Sequence, residues 1–123
     1  KYDTNGYPIE YAYYDKNDRS KEIFGIAFTR YKYDEKGNDV EISYYDGGNK
    51  LKEHSTGVAV WKKIYDDKSF LMEERFFNKN NELTEDSTYK SAVKKYKYDE
   101  FGNIMEKIYL DRNGNILRIF EEP

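Results

Sequence analysis

The sequence predicts an all-β chain built of antiparallel hairpin repeats, four units with a period of 31 to 33 laid side by side as an extended, curled or spiralling, solenoid-like sheet. Three observations predict it. A Tyr-Asp pair opens a turn at Tyr2-Asp3, Tyr33-Asp34, Tyr65-Asp66 and Tyr98-Asp99, so successive copies are offset by 31, 32 and 33. A second turn opens twelve positions after each, at Asp15, Asp46, Asn78 and Asp111. The segments between turns alternate and are rich in aromatic and β-branched residues, the signature of strands. A fixed period of this size marks a repeat architecture in which each unit buries its apolar face against its neighbours. The units run approximately 1–24, 25–56, 57–88 and 89–123, one array that reads as a piece of a longer protein.

Each turn has a physical reading. The fourth position holds Gly6, Gly37, Ser69 and Gly102 in the first set, and Asp18, Asn49, Asn81 and Gly114 in the second. All but Ser69 are residue types that tolerate a left-handed backbone. A leading Asp or Asn can accept the following backbone amides, so each signal predicts a four-residue hairpin loop on a type I turn. The turn residues Asp3, Gly6, Asp34, Gly37, Asp99 and Gly102 are therefore structural.

Three strands are expected per unit, near 26–33, 38–45 and 50–56 in the second. Treating Asp-x-x-Gly as the whole loop pairs Tyr33 with Asn38 and Tyr31 with Val40. It sets Lys62 opposite Glu73 and Lys95 opposite Glu106. Other columns keep step: Glu10, Glu41, Glu73 and Glu106 lie seven positions after the turn Asp, while Arg30, Lys62 and Lys95 lie four before it. Ala27, Ala59 and Ala92 lie seven before it, so the link between units has a register of its own. No stretch carries helical periodicity that its place in the repeat does not override.

Hydrophobic and charged residues each make up 37%, and 21 of 123 residues are Tyr or Phe. Aliphatic side chains are too few for a thick core, whereas aromatic surface suffices to join strand to strand. One face is expected to carry Tyr2, Tyr13, Tyr33, Tyr44, Tyr65, Phe76, Tyr98 and Tyr109, with charges on the other. A net charge of −3 with interleaved signs gives no footprint for nucleic acid. No apolar run approaches the roughly 20 residues of a membrane span. There is no cysteine, hence no disulfide framework and no thiolate metal site.

Tyr33-Asp34-Glu35-Lys36-Gly37-Asn38 and Tyr98-Asp99-Glu100-Phe101-Gly102-Asn103 resemble the Tyr-Asp (YD) repeats of the Rhs family, with weaker echoes at Lys1 to Gly6 and Tyr65-Asp66. The resemblance implies a bacterial protein, secreted or surface-attached, whose repeats form a shell or stalk around other domains and are not catalysts. The chain departs from that family in lacking an Arg after the turn Gly, and in its double unit with Gly25-Ile26-Ala27 and Gly57-Val58-Ala59 links.

Catalytic chemistry is not indicated. His54 and Ser55 are adjacent, and neighbours in a strand point to opposite faces. A carboxylate pair about 5 to 9 Å apart would suit glycoside hydrolysis, but a thin sheet offers no water-excluding cleft, and the Glu column has basic partners. Oxygen ligands for calcium gather at Asp34, Asn38 and Asp39 and along Asp111 to Asn115, where turn geometry already accounts for them. No metal or cofactor is expected.

The function expected is a non-enzymatic structural or interaction module, a scaffold or shell segment of a larger bacterial secreted or surface protein. The alternative is a cell-wall or carbohydrate- and choline-binding repeat. Tyr14, Tyr45 and Phe77, each the second member of an aromatic pair before a turn, would then act with Trp61 as stacking platforms. Expected partners are other domains of the same chain or a cell-wall glycan, together with self-association through sheet edges.

Overall fold

The computed structural model describes residues 4, 6, 10–12 and 26–121. Within them lies one eight-stranded antiparallel sheet whose strands follow one another in chain order. They are β1 (Glu10–Ala12), β2 (Phe28–Tyr33), β3 (Asp39–Tyr45), β4 (Val60–Tyr65), β5 (Leu71–Phe77), β6 (Val93–Tyr98), β7 (Ile104–Leu110) and β8 (Ile116–Glu121). The sheet is open. Because each strand pairs only with its chain neighbours, it neither closes as a barrel nor stacks as the coils of a solenoid. The described residues contain no helix long and apolar enough to cross a membrane.

The turns obey the repeat. Gly6, Gly37, Asn49, Ser69, Asn81, Gly102 and Gly114 all have positive φ, so the fourth-position rule holds at every described copy, Ser69 included. Asp3, Asp15 and Asp18 lie outside the described residues. In the second unit the Gly37 amide donates to the Asp34 carbonyl at 3.1 Å, and the Asp34 amide to the Asn38 carbonyl at 2.9 Å. This is a type I turn followed by a left-handed residue, closed by the Asp34 and Asn38 pair. The loop is thus three residues, one fewer than expected. The leading carboxylate caps it, Asp34 Oδ1 accepting from the amides of Lys36 and Asn38, both at 2.9 Å. Asp46, Asp66, Asn78, Asp99 and Asp111 do the same.

A bulge after each turn corrects the expected register. Lys32 pairs with Glu41 and Tyr33 with Asp39, leaving Val40 as an extra residue. Met72, Met105 and Leu117 are skipped in the same way in the later hairpins. The shorter loop and the bulge each move the pairing by one residue, so Tyr31 faces Ile42 and not Val40. A shift of two keeps every side chain on its own face, so the alternation survives. Lys62 accordingly stands opposite Arg75 in its hairpin and Lys95 opposite Ile108, not opposite Glu73 and Glu106.

The Glu and basic columns meet elsewhere, at the seams between units. Glu10 pairs with Arg30, Glu41 with Lys62, and Glu73 with Lys95, each directly opposite. Their charged atoms lie 2.8, 4.0 and 3.8 Å apart.

The third strand expected in each unit is also corrected. At 50–56 the chain makes only a single bridge, Tyr45 to Leu51, repeated as Phe77 to Leu83. The first strand of the next unit takes the rest of the edge, the Tyr44 amide donating to the Ala59 carbonyl and the Phe76 amide to that of Ala92. The displaced chain turns back over the sheet through tight turns at His54 to Gly57 and Asp86 to Lys90. Ile26-Ala27, Val58-Ala59 and Ser91-Ala92 are the buried steps where each link re-enters the sheet, with all three alanines 0% exposed.

Candidate functional site

The links give the sheet a cavity that its thinness would not suggest. The turns at 54–57 and 86–90 are tied together by the Ser87 amide donating to the Thr56 carbonyl at 2.9 Å. Between them and the sheet lies a cavity of about 200 Å³, walled by Tyr44, Trp61, Phe76 and Tyr89 and holding Glu74, Asp86 and Lys94. By strand alternation Tyr44, Trp61, Glu74, Phe76, Lys94 and Tyr109 share this face. The expected aromatic face is therefore real among the described strands, and it also buries charge. Tyr2 and Tyr13 lie outside the described residues.

Burial dominates the electrostatics. Glu74 is 6% exposed, Asp86 7% and Lys94 8%. Desolvation holds the Lys94 ammonium below its ordinary value, against the opposing pull of Glu74 and Asp86. Its Nζ lies 3.8 Å from the centre of the Tyr89 ring, 5.3 Å from that of Tyr109 and 5.4 Å from that of Phe76. An ammonium among rings is stabilised by their negative faces. Glu74 accepts the Tyr96 hydroxyl, and burial together with that bond pushes the phenol up. Asp86 Oδ1 accepts the Tyr89 amide at 2.9 Å. The aromatic box is thus occupied by the protein's own cation.

Of the expected binding residues that are described, Trp61 alone reaches this cavity. Its ring packs against Phe76 with centroids 6.0 Å apart, Lys63 Nζ lies 4.3 Å from its centre, and its buried Nε1 has no hydrogen-bond partner. Tyr45 and Phe77 lie on the opposite face by alternation. Each is covered by a base from the strand beside it, Arg30 at 4.4 Å over Tyr45 and Lys62 at 4.8 Å over Phe77. Tyr14 lies outside the described residues.

The Tyr of the Tyr-Asp motif joins units. Tyr65 donates its hydroxyl to the Asp39 carbonyl and to Asp39 Oδ1, both at 3.0 Å. Tyr98, one unit later, donates to the Leu71 carbonyl at 2.7 Å. Asp39 and Leu71 are the first residues of β3 and β5, so each bond reaches the hairpin of the preceding unit.

His54 and Ser55 depart from expectation. They stand in a turn and not in a strand, with His54 Nδ1 and Ser55 Oγ 3.1 Å apart and the His54 ring 5.0 Å from that of Tyr44. Ser55 is exposed. The carboxylates considered for calcium already accept hydrogen bonds: Asp34 accepts two amides and the Asn38 side chain, and Asp39 accepts Lys63 and Tyr65. Asp111 accepts the Asn113 and Asn115 amides. Among the described residues no group of three or more acidic, His or Cys side chains is gathered to hold a metal ion.

Sequence reasoning missed Glu74, Asp86, Tyr89 and Lys94. The signal was present as breaks in the repeat. Glu74 occupies the column of Ile42, which holds Lys107 in the fourth unit, and Lys94 that of Thr29 and Trp61, so charge appears where the second unit is uncharged.

No protein-family model matches this chain, and comparison with curated proteins finds no similar sequence.

Proposed function

We propose that the chain is a non-enzymatic scaffold and contact module, a segment of a larger bacterial secreted or surface protein whose other domains carry activity. The observation that carries this reading is the repeated use of side chains as joints between units. The motif tyrosines bond the preceding hairpin and the Glu column meets the basic column at each seam, while within each hairpin the outward rings of Tyr45 and Phe77 lie under bases of the neighbouring strand. A ring already covered by a cation is not a free stacking platform. The bacterial and extracellular assignment rests on the likeness of the Tyr-Asp motifs.

One observation favours the second reading, a glycan-binding repeat. Trp61 lines a cavity rich in rings and carboxylates and has an unused indole donor. Sugar rings present C–H faces to aromatics and hydroxyls to acids.

Binding of the purified chain to isolated bacterial cell walls and to a glycan panel including choline, with and without calcium, tests both. The scaffold reading expects no saturable binding by the folded protein. Saturable binding lost in a folded Trp61→Ala variant supports the glycan reading and overturns the first.

A further inference from the structure

We infer that the edge of β7 at Glu106 to Ile108 is a receptor for an incoming strand of defined chemistry, and that the Ile119 to Glu121 half of β8 is a placeholder which such a strand displaces. The incoming strand reads Ala, a large apolar residue, any residue, then a base. It is presented by a repeat unit of the kind that forms the earlier seams. This goes beyond the scaffold reading and requires only the repeat geometry.

The three preceding seams define the rule. Ala27-Phe28-Thr29-Arg30, Ala59-Val60-Trp61-Lys62 and Ala92-Val93-Lys94-Lys95 each enter the sheet beside the preceding hairpin. Their bases stand directly opposite Glu10, Glu41 and Glu73. Glu106 is the next member of that acidic column, and the residue opposite it is Glu121. Within its own hairpin Glu106 has Lys97 at 3.3 Å, as Glu41 has Lys32 at 3.1 Å, so it is the seam side alone that departs from the earlier units. Like charges directly opposite on neighbouring strands destabilise the pair, where the earlier seams gain from opposite ones.

Packing shows the same misfit. Val60 stands opposite Ser43 and Val93 opposite Arg75, 6% and 7% exposed. Ile119 stands in the corresponding place opposite Ile108 and is 47% exposed, with Phe120 beside it 50% exposed. In the second and third units the chain after the turn keeps one bridge, at Leu51 or Leu83, and yields the rest of the edge to the next unit. Ile116, opposite Leu110, holds the place of that bridge. Charge complementarity and continuity with an interface used three times within the chain therefore specify the occupant.

The test uses the 123-residue protein and a labelled peptide of residues 84–97, which carries one link and its strand. Anisotropy reads binding, and hydrogen exchange by mass spectrometry reads displacement. The expected result is saturable binding with faster exchange at Ile119 to Glu121 and slower exchange at Glu106 to Ile108. The Lys95→Glu peptide should bind more weakly by a factor on the order of fivefold, from the scale of one cross-strand charge pair. Glu121→Lys in the protein, which gives β8 the missing base, should also weaken peptide binding several-fold. Absence of saturable binding overturns the inference. So does binding that leaves Ile119 to Glu121 protected, which is addition to the outer edge of β8, or binding indifferent to the Lys95→Glu change.

Discussion

Tyr98 donates its hydroxyl to the carbonyl of Leu71 at 2.7 Å, tying the turn of one hairpin to the first residue of the second strand in the hairpin before it. Phe70, next to Leu71, stacks on the same tyrosine with centroids 5.2 Å apart. The Tyr-Asp motif is thus two devices in sequence: the Asp caps its own turn, and the Tyr fastens that turn to its neighbour.

The half-buried phenols set an alkaline limit. Desolvation pushes Tyr65, Tyr96, Tyr98 and Tyr109 above the ordinary 10.0. A group that holds its proton more tightly when folded contributes stability that is complete below its unfolded value and lost as pH rises toward its folded one. Lys94 runs the other way. Its value lies below 10.5, so the cost of burying its charge is present at neutral pH and relieved as pH climbs toward 10.5. Four groups oppose one, so denaturant midpoints should fall above about pH 10. Tyrosinate absorbance should show part of the phenols ionising only with unfolding, and a midpoint that stayed level would contradict this.

The buried hydroxyl of Ser91 has no hydrogen-bond partner, in a column where the earlier links place Ile26 and Val58. Ser91→Ala should stabilise the protein by about 1 kcal/mol, since an unsatisfied buried polar group is removed. Ala92, its neighbour, is 0% exposed, and Ala92→Leu should destabilise by about 1–3 kcal/mol through overpacking. Urea denaturation measures both signs.

Asp46 accepts the amides of Gly48 at 2.8 Å and Lys50 at 3.1 Å. Asn78 makes the same bonds with its amide oxygen in the next unit. Asp46→Asn should therefore be nearly neutral and Asp46→Ala should cost about 1 kcal/mol, on the scale of lost net hydrogen bonds. Equal melting temperatures for the two variants would remove the capping role.

Tyr45 and Phe77 lie beneath Arg30 and Lys62 on adjacent strands. Replacing either by Ala should lower stability by a kcal/mol or more, from lost contact area and the lost cation and ring contact. Unchanged melting of both variants would show that the rings are free of structural work.

The turns were the most legible part of the chain because their chemistry is local. A positive φ selects Gly or Asn and a capping oxygen selects Asp or Asn, whatever the rest of the fold does. The bulge at Val40 was not legible, since Val40 alternates like its neighbours and only the closing of the turn shows that it lacks a partner. The two-residue shift left the faces right and the partners wrong, which is why Lys62 was expected beside Glu73 and stands beside Glu41. The cavity was hidden for a related reason. Ser87 meets Thr56 from one link to the link before it, a contact that no strand pattern encodes. Lys94 and Glu74 were visible only as charges in columns that the second unit fills with Thr29 and Ile42.

The measurement that bears most directly on the joining of units by the motif tyrosines is equilibrium unfolding of Tyr98→Phe and Tyr65→Phe beside wild type. Each change keeps the ring and deletes the hydroxyl that crosses to Leu71 or Asp39. The expected result is a loss of about 1 kcal/mol for each, in line with one buried hydrogen bond and an acceptor left behind. Stability equal to wild type in both variants would contradict the account and leave the tyrosines as ring contacts alone.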